Sequence, residues 1–482
     1  MKLNELLDGL KYSFIKGNEN EEIDRIIYDS RIKTENGLFI AIEGYKTDGH
    51  NYIDAAISNG AKTILVQKDI YIQSDVTVIK VEDTRLAMAL IANSAYNHPS
   101  NKIELVGVTG TNGKTSITFL LGQILEAYNK KIGIIGTIEN RIGTQILKAE
   151  RTTPESVDLQ ALFDKMVKND VDTAIMEVSS HALELSRVAG TNFKVGVFTN
   201  LTQDHLDFHV TMENYAKAKS KLFSMCEYGI VNKDSDYIEL IVDDAKCKLV
   251  TYGIDNVADY RASGVIISAS GVEYNLICPE GSYCVHVPIP GKFTVYNTLA
   301  VIASARTLGI PMDIILETLS YAKGVPGRVQ SFKSAKGYSV LVDYAHTPDG
   351  LENVLSTIKE FVTGNIITVF GCGGDRDRTK RPLMGEIAGK YSDHVLITSD
   401  NPRTEEPFKI LDDIEEGIKG ICNKYEKVED RKTAIEKALS IANKDDVILV
   451  AGKGHENYQI LKDRIIHFDD SEIVQEYFQG EQ

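Results

Sequence analysis

The stretch Val108-Thr-Gly-Thr-Asn-Gly-Lys-Thr115 carries residue types and spacing suited to holding a polyphosphate. An apolar run, Leu105 to Val108, leads into a glycine turn, and an amphipathic segment, Ile117 to Tyr128, follows it. At such a strand-to-helix junction the backbone N–H groups face an anion and the helix dipole favours negative charge. Lys114 then reaches the β and γ oxygens, and the Thr115 hydroxyl is placed to ligate Mg²⁺. Gly110, Thr111, Asn112, Gly113 and Ser116 complete the nucleotide-holding segment. Val108 stands where the usual GxxxxGK[ST] has its first glycine, so the turn reads GxxGKT. The flanking strand and helix favour a phosphate loop over an ordinary tight turn.

A second constellation supplies a carboxylate and an imidazole. Glu177-Val-Ser-Ser-His181 follows one buried-type strand, and the segment Asn200 to His209 follows the next. Parallel neighbouring strands would set Glu177 and His205 side by side near the glycine turn, a pairing that suits a divalent cation bridging phosphate and acceptor. The competing reading is a capping Glu and a satisfied core His. Asp204, Asp207 and His209 make a weaker case, and at least two of them read as helix-cap or structural residues. Arg151-Thr-Thr-Pro-Glu155 is by itself a turn signal. Lys217 and Lys219 have the composition of a solvated helix face, and nothing local singles out either one.

The elements that must position these residues alternate. Ile132–Gly136, Asp172–Val178, Val195–Asn200 and Gly229–Asn232 are apolar strands separated by helical segments, which predicts a mostly parallel sheet with crossover helices. A β-rich stretch from Tyr252 to Pro290 and a helix over Thr298–Thr307 follow. Four further apolar runs end in polar, glycine-bearing or charged loops: Val340–Val342 into Asp343-Tyr-Ala-His346, Ile366–Phe370 into Gly371-Cys-Gly-Gly-Asp-Arg376, Val395–Thr398 into Ser399-Asp-Asn-Pro-Arg403, and Val447–Val450 into Ala451-Gly-Lys-Gly-His-Glu456. Ligands in open α/β sheets bind beyond the carboxyl ends of the strands, so these loops are expected to line one crevice.

With 482 residues the chain is too long for one ordinary core, and a prior of about 150 residues per domain suggests three. The polar stretch Tyr96–Asn101 and the break at Gly324-Val-Pro-Gly-Arg328 give boundaries at 1–98, 99–326 and 327–482. A net charge of −16 argues against nucleic-acid and anionic-membrane partners. No apolar run approaches the ~20 residues of a membrane span. The N-terminus carries acid early and lacks an apolar leader pattern. Six cysteines without CxxC pairing read as reduced thiols of a cytoplasmic protein, buried as small apolar groups. A monomer is expected, because no heptad or exposed repeat suggests self-association.

Taken in order, TGTNGKT, EVSSHAL, TNLTQDHLDFH, the AKxxLF segment, GKFTVYN, GVPGR, DYAHTPD, GCGGDRDRTKRPLM, DNPR and AGKGHE resemble the Mur ligase family over essentially the whole chain. The resemblance implies an α/β fold of three domains: a small N-terminal UDP-binding domain, a central P-loop ATPase domain, and a C-terminal Rossmann-like domain for the amino acid. It implies ATP- and Mg²⁺-dependent addition of meso-2,6-diaminopimelate to UDP-N-acetylmuramoyl-L-alanyl-D-glutamate through an acyl phosphate, in cytoplasmic peptidoglycan precursor synthesis. Carried across, Lys114, Glu177, His205 and Lys219 are catalytic. Thr115 serves a first Mg²⁺, and Glu177 and His205 a second, with Lys219 converted to an N-carbamate. Asn297 would meet adenine, and Arg328 and Asp343 the phosphates and ribose. Ser30 would contact the UDP portion, while Thr152, Thr153, Ser179 and Arg187 would hold the muramoyl-dipeptide. Arg376, Asp400, Asn401, Pro402, Arg403, Gly452 and Glu456 would receive the diamino acid.

Arg403 carries the choice between amino acids. The distal end of diaminopimelate is a second zwitterion, whose carboxylate suits a bidentate arginine and whose amine suits an acid; L-lysine lacks that carboxylate. Leu185 departs from a glutamine found in some relatives, which puts one polar dipeptide contact in doubt. The competing functions are an L-lysine-adding ligase of the family, a folylpolyglutamate synthase-like ligase, a P-loop regulatory or transport ATPase, and a binding subunit without catalysis. The last is opposed by intact Lys114, Glu177, His205 and Lys219.

Overall fold

The structure, a computed structural model, describes residues 1–480 except 45, 46, 269, 326 and 328, and leaves out the side chain of Asp207. Arg328 therefore lies outside the described residues. The chain divides into two compact units, one of Met1–Thr251 with Ala303–Gly309 and the other of Tyr252–Ile302 with Ile310–Gln482.

The first unit contains two sheets. In the N-terminal one, β1 (Tyr12–Lys16), β2 (Ile26–Ile27), β3 (Gly37–Ile40), β4 (Ala61–Val66) and β5 (Thr77–Val81) lie in the order β1-β5-β4-β3-β2. Only β1 runs antiparallel to its neighbour. The P-loop sheet is built on β6 (Glu104–Thr109), β7 (Ile132–Ile135), β8 (Glu139–Ile142), β9 (Gln145–Lys148), β10 (Thr173–Glu177), β11 (Phe193–Phe198) and β12 (Cys226–Asn232). These strands follow the order β12-β11-β6-β10-β7-β8-β9, parallel from β12 to β7. The apolar centres of β6 (Leu-Val-Gly-Val) and β10 (Ala-Ile-Met) suit strands covered on both faces, and five consecutive residues are buried in each. The expected side-by-side pairing of the Glu177 and His205 strands is corrected here: β6 lies between β10 and β11. A crossover that inserts the earlier strand between two later ones leaves no trace in local sequence. Its consequence is that the glycine turn, at the end of the middle strand, is flanked on both sides.

Helix Thr84–Ala95 packs on helix Ser156–Lys168. The Tyr28 hydroxyl donates to Asp158 Oδ2 at 2.5 Å, a further tie between the N-terminal sheet and the second of these helices.

The second unit holds an antiparallel meander of Tyr260–Ser268, Gly271–Cys278 and Gly281–Val287 and a six-stranded sheet. In the latter, β13 (Gln330–Lys333), β14 (Ser339–Asp343), β15 (Ile366–Phe370), β16 (His394–Ile397), β17 (Tyr425–Lys427) and β18 (Val447–Ala451) are ordered β13-β14-β18-β15-β16-β17. All pair in parallel except β13 with β14. Side chains alternate between two cores: Leu341, Ile366 and Phe370 join Leu355, Met384 and Ile414 on one face. Val340, Val342, Ile367 and Val369 join Ile435, Leu439 and Val474 on the other. Helices thus cover both faces, the doubly wound arrangement that places ligands beyond the strand ends.

Among the described residues no helix is long and apolar enough to cross a membrane. All six cysteines are free thiols, but only Cys372 and Cys422 are buried. The expectation of uniformly buried thiols fails because Cys278 and Cys284 stand on the half-solvated meander.

Candidate active site

The glycine turn is folded against β11 and the loop after it. Gly110 has φ 146°, and a Cβ there would lie 1.8 Å from Thr199 Oγ1, so no other residue fits. Thr199 Oγ1 donates to the Asn112 carbonyl at 2.6 Å, and Asn200 Oδ1 accepts the Asn112 N–H at 3.0 Å. Gly113, at φ 87°, opens the helix Lys114–Ala127 that carries Thr115 and Ser116. Thr115 Oγ1 donates to Glu177 Oε1 at 3.0 Å. That buried carboxylate also receives the Thr137 N–H at 2.8 Å and the Thr137 hydroxyl at 3.1 Å.

Lys219 overturns the reading of its helix face as solvated. On helix Met212–Ser220 its side chain is 1% exposed while Lys217 faces solvent. Its ammonium donates to the Gly110 carbonyl at 2.9 Å and lies 4.4 Å from the Tyr215 ring. Burial, then the nearby Lys114 charge, hold it well below the usual lysine range. Lys114 Nζ donates to the same Gly110 carbonyl, at 2.9 Å, and to that of Thr111 at 2.8 Å. The structure therefore gathers Lys114, Thr115, Glu177 and Lys219 around one turn. His205 is half-exposed beside Asp204, its ring 4.8 Å from that of His181 and 6.1 Å from that of Tyr215. Thus Tyr215 touches both His205 and Lys219. His209, one of the three residues of which at least two read as cap or structural, is buried, stacked on Tyr215 and 2.9 Å from Ser180 Oγ.

The residues assigned to the muramoyl-dipeptide meet on the opposite flank of Glu177. Thr152 Oγ1 is 3.0 Å from Thr137 Oγ1, and Thr153 Oγ1 donates to the Glu177 carbonyl at 2.8 Å. Ser179 caps the helix Ser180–Glu184, and its N–H donates to Thr153 Oγ1 at 3.1 Å. Arg187 bonds Glu155 at 2.8 Å and the Thr153 carbonyl at 3.1 Å. Glu155, which sequence reasoning passed over, also binds Arg151 at 2.7 Å. Ser30 sits in the loop after β2, its carbonyl accepting from Asn59 Nδ2 at 2.8 Å. Among the described residues no hydrogen bond joins it to the dipeptide set. Leu185 lines a separate cavity of 500 Å³ with Gln67, Asp83 and Arg85.

In the second unit a cavity of 420 Å³ opens beyond the carboxyl ends of β14, β15, β16 and β18. Arg376, Asp400, Asn401, Arg403, Gly452 and Glu456 all line it, whereas Pro402 does not. Asn401 Nδ2 donates to Glu456 Oε2 at 2.9 Å, and the buried Lys453 ammonium lies 3.2 Å from the same oxygen. Burial raises Asp400, against the opposing pull of Arg431 and Lys453. Arg403 adopts φ 54° and donates Nη1 to the Gly374 carbonyl at 2.6 Å. Tyr344, His346, Thr347, Gly373, Lys380 and Tyr458 complete the wall. Most of these lie inside the motifs DYAHTPD and GCGGDRDRTKRPLM; Tyr458 has no local signal. Asn297 and Asp343, both buried, belong to this unit; Asp343 accepts the N–H groups of Val329 and Ala345 at 2.8 Å each.

One unit carries a strand-to-helix glycine turn beside a buried acid, and the other a doubly wound sheet with a charged cavity beyond its strand ends. The chain belongs to the Mur ligase family: its catalytic domain matches residues 22–96, the Mur ligase middle domain 108–305, and the glutamate ligase domain 327–454. More particularly, the chain is 51% identical over 480 residues to the UDP-N-acetylmuramoyl-L-alanyl-D-glutamate–2,6-diaminopimelate ligase of Clostridioides difficile, covering 99% of both chains. It is 50% identical over 477 residues to the ligase of that name from Caldanaerobacter subterraneus subsp. tengcongensis, covering 99% of this chain and 98% of the relative. A solved structure of a ligase of that name superposes with TM-score 0.75 at 31% identity, covering 100% of this chain and 99% of the other.

Proposed function

We propose that this protein joins meso-2,6-diaminopimelate to the side-chain carboxylate of UDP-N-acetylmuramoyl-L-alanyl-D-glutamate at the expense of ATP. The observation that supports it best is the cavity lined by Arg376, Arg403, Asp400 and Glu456, two cations and two acids for a second zwitterionic centre. L-Lysine would leave Arg403 without its partner.

The chemistry follows from the residues. A carboxylate is a poor electrophile, so the D-glutamate side chain first attacks the ATP γ-phosphorus, breaking its bond to the β–γ bridging oxygen, and becomes an acyl phosphate as ADP leaves. The amine of the diamino acid then attacks that carbonyl, and phosphate leaves. Lys114 and the turn's N–H groups neutralise charge on the transferring phosphoryl group. Arg187, fixed by Glu155, takes a substrate carboxylate. Among the described residues no three His, Cys, Asp or Glu side chains form a metal cage. Mg²⁺ is compatible with that, since it is commonly held by one or two carboxylates together with substrate phosphates. Thr115, Glu177, His205 and Lys219 as a carbamate would hold it; when bound, it offsets phosphate charge. Asn297, Asp343 and Arg328 are assigned to ATP, Ser30, Thr152, Thr153 and Ser179 to the UDP substrate, and Pro402 to the shape of the Arg403 loop.

Domains at 1–98, 99–326 and 327–482, a cytoplasmic location and a monomeric state complete the reading. The test is phosphate release by purified protein with ATP, Mg²⁺ and the UDP-dipeptide, given either meso-diaminopimelate or L-lysine. Release should require the amino acid and favour diaminopimelate. Equal or faster release with lysine overturns the specificity, and release with no amino acid turns the protein into an ATPase of another kind.

A further inference from the structure

Two irregular loops, residues 371–376 and 400–405, bring Arg376 and Arg403 to the amino-acid cavity. Loops hold side chains less exactly than helices or strands, so a site built on them needs support from behind. That support is Arg381, in the first turn of helix Lys380–Tyr391, whose side chain is 0% exposed and does not line the cavity. Its Nη1 donates to Glu405 Oε2 at 3.0 Å and to Asp413 Oδ2 at 2.8 Å. Its Nη2 donates to Glu405 Oε1 at 2.8 Å and to the Gly373 carbonyl at 3.3 Å. One guanidinium therefore grips both loops, Gly373 in the first and Glu405 in the second.

The grip is relayed to Arg403. Glu405 Oε1 also accepts the Asp375 N–H at 2.6 Å, and the Asp375 carboxylate accepts the Thr404 hydroxyl at 2.7 Å. The Gly374 N–H donates to the Asn401 carbonyl at 2.9 Å, and the Gly374 carbonyl, next to the residue Arg381 holds, is the acceptor for Arg403 Nη1. A buried ion cluster is weak as a source of stability, since apolar residues of equal volume often do as well. A cluster that sets the aim of a second arginine has a reason to be ionic.

We propose that Arg381 is a positioning residue for amino-acid specificity: it locks the two loops so that Arg403 presents its guanidinium to the distal carboxylate of the diamino acid. This rests on reading the cavity as the diamino-acid site. The experiment compares full-length wild type, R381M, R381K, R403A and R381M/R403A, measuring kcat and KM with meso-diaminopimelate and with L-lysine, together with ATP affinity. In R381M the KM for diaminopimelate should rise about 10-fold or more, with kcat, ATP affinity and the lysine KM each changed less than ~3-fold. R381K should recover part of the loss, and the double variant should be no worse than R403A. Equal loss with both amino acids, or additive effects in the double variant, reduces Arg381 to a scaffold residue and overturns the proposal. Should R381M fail to fold, E405Q removes one arm of the grip, and the same comparison decides. A wild type that prefers lysine, or uses neither amino acid, defeats the reading of the cavity instead.

Discussion

Lys219 gives the sharpest test because the structure makes its unmodified form costly. Lys219 and Lys114 each donate to the Gly110 carbonyl at 2.9 Å, so their ammonium groups can be no farther apart than twice that distance. At that limit, with an effective dielectric of ~20, two like charges repel by about 3 kcal/mol. Desolvation adds to the penalty. The depressed pKa raises the neutral-amine fraction, the form whose nitrogen bonds the carbon of CO₂ with loss of a proton. A carbamate formed there would reverse the sign of the interaction with Lys114. The perturbation is K219M, which keeps an unbranched side chain and deletes the charge. In CO₂-free buffer K219M should unfold at a higher temperature than wild type. The gap should narrow as pH rises, because the unfolded lysine binds more protons than the folded one until both are neutral. Phosphate release, by contrast, should fall about 10²–10³-fold, the cost of removing one preorganised electrostatic group. Bicarbonate should raise both the activity and the melting temperature of wild type and neither property of K219M. A K219M enzyme within ~3-fold of wild type, or a wild type indifferent to bicarbonate, would refute the reasoning.

Two further outcomes concern stability. Arg431 and Asp470 are both fully buried, paired at 2.7 Å, and Arg431 also donates to the Ala451 carbonyl at 3.0 Å. D470N should therefore cost about 3–5 kcal/mol in urea unfolding, and a loss below ~1 kcal/mol would show that the pair is dispensable. Burial first, and then the His181 and Lys219 charges, push His209 down to about 4. An unfolded imidazole binds more protons than the folded one between about 4 and its ordinary value of 6.5, so acidification through that window destabilises the protein. H209Q should lack that component of the slope in a pH series of melting temperatures; an identical slope would place the effect elsewhere.

Periodicity and apolar runs carried most of the fold, because a strand buried on both faces is largely apolar. All four runs from Val340, Ile366, Val395 and Val447 are strands of one sheet, and their loops do line one cavity. Pairing order was not legible. Nothing in residues 105–108, 172–178 or 195–200 says that the first strand inserts between the other two; that is decided by where crossover helices pack. The N-terminal and P-loop sheets fall into one compact unit, helped by helix packing and the Tyr28–Asp158 bond, whose two residues are 130 apart.

The same division explains which site residues composition reached. Lys114, Thr115 and Gly110 fall within one contiguous motif, so spacing alone exposes them. Lys219 and Arg381 act through partners far along the chain, Gly110 for one and Glu405 for the other. In sequence each is one cation in a charged helix; in the fold each is buried. A long cationic side chain enters a protein interior only when its charge is matched or altered. Arg381 is matched by two carboxylates, whereas Lys219 meets another cation. That contrast separates their roles: a guanidinium that cannot shed its proton holds loops in place, and an amine that can shed one is available for chemistry.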